Sequence, residues 1–206
     1  MSKSIKYLLL IVASFFLISC QQSEGTSGND KTDSDTTKEQ NKVDEGEDDN
    51  MSEIDIYDFK NIEKAPKAAE KQPLDNVIKI FFDETSIDDP YQAIAIDIKN
   101  NEIYKNPIIS RRGLRAQDGV IEVNNTAEVN NILEKHNVQN WEEDYTFEDA
   151  ETYEDGYSWR LWLQYEDGTI EKHGGKGTDI VKLTPDNFTA FVDELREFEK
   201  RKIEGK

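Results

Sequence analysis

Cysteine occurs once in the 206-residue chain, at Cys20, so no internal disulfide can form and any folded part is stable without one. Histidine occurs twice, at His136 and His173. Neither lies in an H-E-x-x-H motif or in a Cys/His ligand spacing, so the sequence predicts no transition-metal centre and no cofactor. No G-x-S-x-G elbow is present, although a serine-histidine-carboxylate triad assembled in space is invisible to such a search. Basic residues are scarce beside acidic ones, 25 Lys and Arg against 44 Asp and Glu, and the formal net charge is -19. A surface of that sign repels polyanions. DNA and RNA are therefore excluded as partners, and contact with anionic lipid headgroups is disfavoured. Long apolar runs are lacking too: the longest charge-free one, Tyr7 to Ile18, is too short to span a bilayer.

That run is nonetheless informative. Lys3 and Lys6 precede it as a positive n-region, and YLLLIVASFFLI has the length of a secretory h-region. It closes on Leu17-Ile18-Ser19-Cys20, which resembles the lipobox of bacterial lipoproteins. The resemblance covers residues 1–20 and implies a signal peptide over 1–19, diacylglycerol on the Cys20 thiol, cleavage before it, and anchoring to the extracytoplasmic face of the cell membrane. The membrane is thus an expected partner, through the lipid on Cys20. Two or three acyl chains give stable attachment where one gives only marginal binding. The alternative is a cleaved secretory signal with an incidental cysteine. It would leave an exposed thiol in an oxidising compartment.

Residues 20–50 carry one valine as their only sizeable apolar side chain after the cysteine, among many Ser, Thr, Asp, Glu and Asn. They cannot bury enough surface to offset the entropy of ordering, so the sequence predicts a disordered, self-repelling tether averaging roughly 30 Å end to end. Residues 51–73 form a short apolar segment and linker. Ile54, Ile56, Tyr57, Phe59 and Ile62 return apolar content before the proline-bounded KAPKAAEKQP, and the segment reads equally as a docked element or a recognition motif.

Residues 74–203 are enough for one ordinary core. Val77–Phe82 and the alternating Tyr91–Ile98 predict strands, with Asn100-Asn101 as a hairpin turn and Glu102–Lys105 returning. Asn125-Thr126-Ala127-Glu128 has the capping-box pattern ahead of Val129, Ile132 and Leu133. Ser158–Tyr165 then alternates, Glu166-Asp167-Gly168 turns, and Thr169–His173 returns. Thr184-Pro185 is read as the start of a helix with the stripe Phe188, Phe191, Val192, Leu195 and Phe198. Hairpin then helix, twice, predicts an α+β domain: an antiparallel sheet with two helices packed on one face. The stretch from Trp159 through Tyr165-Glu166-Asp167-Gly168-Thr169 to Thr184-Pro185 is similar to Gram-positive cell-surface lipoproteins without an assigned activity. That resemblance implies compartment and fold, and no mechanism.

Two features are candidate binding surfaces. In SWRLWLQY, alternation puts Trp159, Leu161, Leu163 and Tyr165 in the core and leaves Trp162 beside Arg160 and Gln164, either as a stacking platform or packed under a loop or the 51–64 segment. Arg111, Arg112 and Arg115 place three guanidinium groups close together in an acidic chain, suited to carboxylates or phosphates. They would either face such a partner or pair internally with the acidic run from Glu142 to Asp155. That run lacks the alternation and turn glycine of a calcium loop. Gly174-Gly175-Lys176-Gly177-Thr178 fails the phosphate-loop spacing and reads as a mobile loop. The expected function is a non-catalytic binding or interaction module meeting an envelope protein or cell-wall polymer. The alternatives are a glycan hydrolase using carboxylates of the acidic run, or an inhibitor or accessory of another envelope protein.

Overall fold

A computed structural model describes residues 54–86, 90–147 and 156–205. The elements run β1 (Val77–Thr85), β2 (Gln92–Asp97), β3 (Glu102–Tyr104), β4 (Pro107–Ser110), β5 (Gly113–Ala116), β6 (Val120–Glu122), α1 (Glu128–Lys135), β7 (Tyr157–Tyr165), β8 (Ile170–Gly177) and α2 (Phe188–Glu204). Six strands form one antiparallel sheet in the order β6-β3-β2-β1-β7-β8, and β4 and β5 form a separate hairpin. The chain is α+β, as its two periodicities predict.

The central strand explains the layering. VIKIFF is buried along its whole length, so both faces of β1 must be covered. Successive side chains alternate between faces. Ile80 and Phe82 join Ile94, Ile96, Trp159, Leu161 and Leu163 under α1 and α2, whose Val129, Leu133, Phe191, Leu195 and Phe198 close the larger core. Phe81 points the other way, into a second cluster with Trp162, Ala95, Ile170, Leu114, Phe59 and Ile62. The cover on that side is the β4-β5 hairpin together with a 3₁₀ helix over Phe59–Lys64, capped by the Asp58 carboxylate accepting from Lys60 N–H. The described part of this segment, residues 54–64, is therefore docked. Each of its buried Phe59 and Ile62 side chains contributes about 1.5–3 kcal/mol of transfer free energy.

Several local expectations are revised. The loop after β2 runs over Ile98–Asn101, longer than a two-residue turn. Only Asn101 is left-handed there, and the Asp97 carboxylate accepts from both the backbone and the side chain of Asn100. Ahead of α1, Asn125 donates to the Glu128 carboxylate side chain to side chain, while the Thr126 hydroxyl reaches back to Ile98 O, so no capping box closes. Helix α2 begins at Phe188, not at Pro185. Thr184 donates its hydroxyl to Ile180 O and the Trp159 indole N–H holds Leu183 O at 2.7 Å, so this stretch is spent on tertiary bonds before the helix starts. Gly174–Gly177 is strand rather than loop. A Cβ at Gly175 would lie 2.4 Å from Leu183 O, so the glycine permits that close approach.

Candidate functional site

Trp162 is not an open platform. It is 5% exposed, lies 5.2 Å from the Phe81 ring, and is roofed by the docked segment, with the Lys172 ammonium 5.0 Å and the Arg160 guanidinium 5.3 Å from its centroid. Arg160 is itself committed. Its Nε donates to Asp83 Oδ1 at 2.8 Å and Nη2 to Oδ2, while the Tyr91 hydroxyl shares the same carboxylate. The hydrogen bond to Asp83, outweighing the cost of burial, holds the guanidinium more firmly charged than usual, and burial beside that carboxylate pushes the Tyr91 phenol well up. Gln164 is fully buried and donates to Ile56 O at 2.8 Å, fastening the docked segment. Three of the predicted binding residues thus hold the protein's own chain.

The arginine cluster has the opposite character. Arg111 and Arg112 form the tip of the β4-β5 hairpin, between the paired Ser110 and Gly113. The Ser110 hydroxyl accepts from Arg112 N–H and donates to Gly113 O, and Gly113 takes φ 89°, a conformation that favours glycine. A Cβ on Gly113 would come 2.1 Å from Lys60 O, so the hairpin is clamped on the docked segment by its one glycine. Leu114 anchors it in the second cluster and Arg115, next along the strand, faces out. All three arginines are exposed, and residues 107–116 contain no acidic side chain. Among the described residues none of the three guanidiniums makes an ion pair.

The described part of the acidic run does not meet them. Glu143 pairs with Lys67 at 2.5 Å, Asp144 accepts from Thr146 N–H, and Glu142 O accepts from His173 Nδ1 at 2.8 Å. Residues 148–155, with the remaining carboxylates of that run, lie outside the described residues, as does Cys20. Among the described residues no group of three His, Cys, Asp or Glu side chains could hold a metal ion, and no helix is long and apolar enough to cross a membrane.

The two histidines sit apart. His136 caps α1 and meets Glu194 at 2.8 Å, and the Glu194 carboxyl is held low by Lys135 and then His136. His173 is buried on β8, with Nε2 3.2 Å from Glu171 Oε1 but without the alignment of a hydrogen bond. Burial pushes the Glu171 carboxyl up. The close imidazole of His173, the hydrogen bond from the Tyr165 hydroxyl and the charge of Lys71 together outweigh that and leave it below the usual range. Tyr165, Glu171 and His173 lie close in sequence, and only the contact of His173 with Glu142 O, 31 positions away, depends on the tertiary fold.

No family model, curated protein or solved structure matches the chain.

Proposed function

We propose that the protein is a lipid-anchored binding module on the extracytoplasmic face of the cell membrane, and that it engages an anionic partner in the envelope through Arg111, Arg112 and Arg115. The observation that carries this reading is a hairpin bearing three exposed arginines that make no ion pair among the described residues, on a chain of net charge -19. The part-buried arginines that serve the fold, Arg160 and Arg196, each sit beside a carboxylate. Planar guanidinium forks match phosphate and carboxylate oxygens in pairs. The surrounding negative charge disfavours extended polyanions such as nucleic acid, so the reading requires an anion that reaches the tip alone, as a flexible chain or a protruding acidic loop does. The anchor rests on Leu17 to Cys20, and a tether of 20–50 would raise the local concentration of the domain toward neighbouring polymers and proteins.

The test is binding of the full chain, in detergent solution, to a soluble glycerol-phosphate polymer across a salt series. Replacing all three arginines by glutamine should abolish retention, and the wild-type affinity should fall as salt rises. Retention unchanged by the triple replacement would remove the hairpin as the contact. Cys20→Ala should separately release the protein from membranes without altering polymer binding.

A further inference from the structure

Strand β2 outruns its neighbour β3. Ala95, Ile96 and Asp97 pair with Tyr104, Ile103 and Glu102, but Gln92, Ala93 and Ile94 have no strand partner on that side among the described residues. The chain turns away from β2 there. Asn106 takes φ 46°, which asparagine tolerates, and Pro107 begins β4. Gln117 N–H donates to Asn106 O at 3.2 Å, and the Asn106 side-chain amide donates to the Asp118 carboxylate, so the foot of the β4-β5 hairpin is fixed. Between that foot and the uncovered end of β2 lies a cavity of about 380 Å³, lined by Tyr91, Gln92, Ala93, Asn106, Pro107 and Gln117.

Its lining departs from the rest of the surface. Charged residues make up 33% of the chain, yet none of these six is charged. Other cavities do carry charge: Glu122, Arg201 and Lys202 line one, Glu84 and Arg196 another. Gln92, Asn106 and Gln117 bring three primary amides, each with both donors and an acceptor. The side chains of Gln92 and Gln117 are exposed and have no partner among the described residues. Tyr91 adds an aromatic ring that is 42% exposed. Its hydroxyl donates to Asp83 Oδ2 at 3.1 Å, that carboxylate is gripped by Arg160, and the Ile109 backbone of β4 lies beside it. The ring therefore spans sheet and hairpin and is held before any ligand arrives, which lowers the entropy lost on binding.

A ligand that matches this lining has hydroxyls for the amides, an apolar face for the ring, and no net charge. We propose that the cavity binds a neutral sugar in its ring form, with the C–H face of the sugar against Tyr91 and its hydroxyls on Gln92, Asn106 and Gln117. A phosphate or carboxylate would meet no cation in the lining, an ammonium would meet no anion, and a large apolar group would have only Ala93 and Pro107 beyond the ring. The volume falls near the lower end of the roughly 300–1,000 Å³ of small-ligand sites, so the occupant is a mono- or disaccharide unit. The site lies at the end of the hairpin opposite the arginine tip, three strand steps or about 10 Å along β4. A glycerol-phosphate polymer without sugar substituents offers it nothing, so the two sites can fail separately.

The probe is N,N′-diacetylchitobiose, titrated into the ¹⁵N-labelled full chain in a detergent without a sugar headgroup. Sorbitol is the control, with hydroxyls but no ring. One stacked ring and a few hydrogen bonds to solvent-facing amides support a Kd on the order of 1 mM. Shifts should concentrate at the side-chain amides of Gln92, Asn106 and Gln117 and at the Ala93 backbone amide. Tyr91→Ala should weaken binding about tenfold, whereas Tyr91→Phe, which keeps the ring, should weaken it by less than about threefold. Gln92→Ala combined with Gln117→Ala should also weaken it about tenfold. Both glutamines are exposed, so this pair decides the matter even where Tyr91→Ala does not fold. Shifts absent at about 20 mM probe, equal shifts with sorbitol, or binding undiminished in the glutamine pair would overturn the proposal.

Discussion

The two faces of the sheet are built by different physics. Under the helices the core is aromatic: Trp141, Trp159, Phe188 and Phe191 contact one another at ring distances between 4.6 and 6.1 Å. Under the docked segment the layer is thinner and holds charge. Lys79 and Asp97 form a buried pair at 3.4 Å, Gln164 lies fully buried, and the Lys79 ammonium sits 5.9 Å from the Phe59 ring centroid. Apolar packing is non-directional and tolerates many covers, whereas buried polar groups must be met one by one. The helix face thus supplies stability, and the segment face specifies which piece of chain lies on it.

Four substitutions sharpen this contrast. Trp159→Ala should have the largest effect, about 3–5 kcal/mol, with hydrogen exchange rising across the whole sheet. Denaturant unfolding measures it, and a loss under about 1 kcal/mol would break the assignment of the helix face as the stabilising one. Lys79→Ala leaves the Asp97 charge buried and uncompensated, at a cost of about 3 kcal/mol. The double change Lys79→Met with Asp97→Leu should recover most of that loss, and a double variant as unstable as the single one would contradict the account. Ile62→Ala should cost about 2 kcal/mol and act locally. Exchange should speed at the Ala68 and Ile170 amides while the Phe82 amide stays protected, and uniform loss of protection would show one undivided cooperative unit.

The smallest effect concerns Glu199 on α2, whose carboxyl is pushed up to about 7 by burial against a partial offset from Arg196. The folded state holds this proton more tightly than the unfolded chain does. Its contribution is therefore most favourable below the ordinary carboxylate range and is lost as pH rises from about 4.5 through 7. Glu199→Gln should remove that slope and raise stability at pH 8 by roughly 1–2 kcal/mol relative to wild type. Unfolding midpoints at pH 5 and pH 8 give the comparison, and an unchanged difference between them would exclude this residue as the source.

Much of the architecture was readable because each long element shows one clean period. SWRLWLQY alternates at two and the α2 stripe repeats at helical spacing, and the structure buries those residues on the faces assigned. Covers of the second face were harder to read. Ile54, Ile56, Tyr57, Phe59 and Ile62 fit no single period because a 3₁₀ turn presents only Phe59 and Ile62 to the sheet. PIIS and GLRA are four residues each, too short for a periodic signal, so the β4-β5 hairpin passed as loop. The glycine after Arg111-Arg112 was the available clue. Trp162 was correctly placed among polar neighbours, yet whether a neighbour roofs it depends on a segment 100 positions away, which alternation cannot show.

The arginine hairpin is the claim on which the functional account turns, and one experiment addresses it directly. The full chain and its Arg111→Gln, Arg112→Gln, Arg115→Gln triple variant should be compared side by side for unfolding midpoint and for retention on an immobilised glycerol-phosphate polymer. The account predicts equal stability, within about 0.5 kcal/mol as for surface substitutions, and complete loss of retention. Retention that survives the replacements would contradict it, and so would stability that falls with them by about 2 kcal/mol or more, because the guanidiniums would then serve the fold rather than a partner.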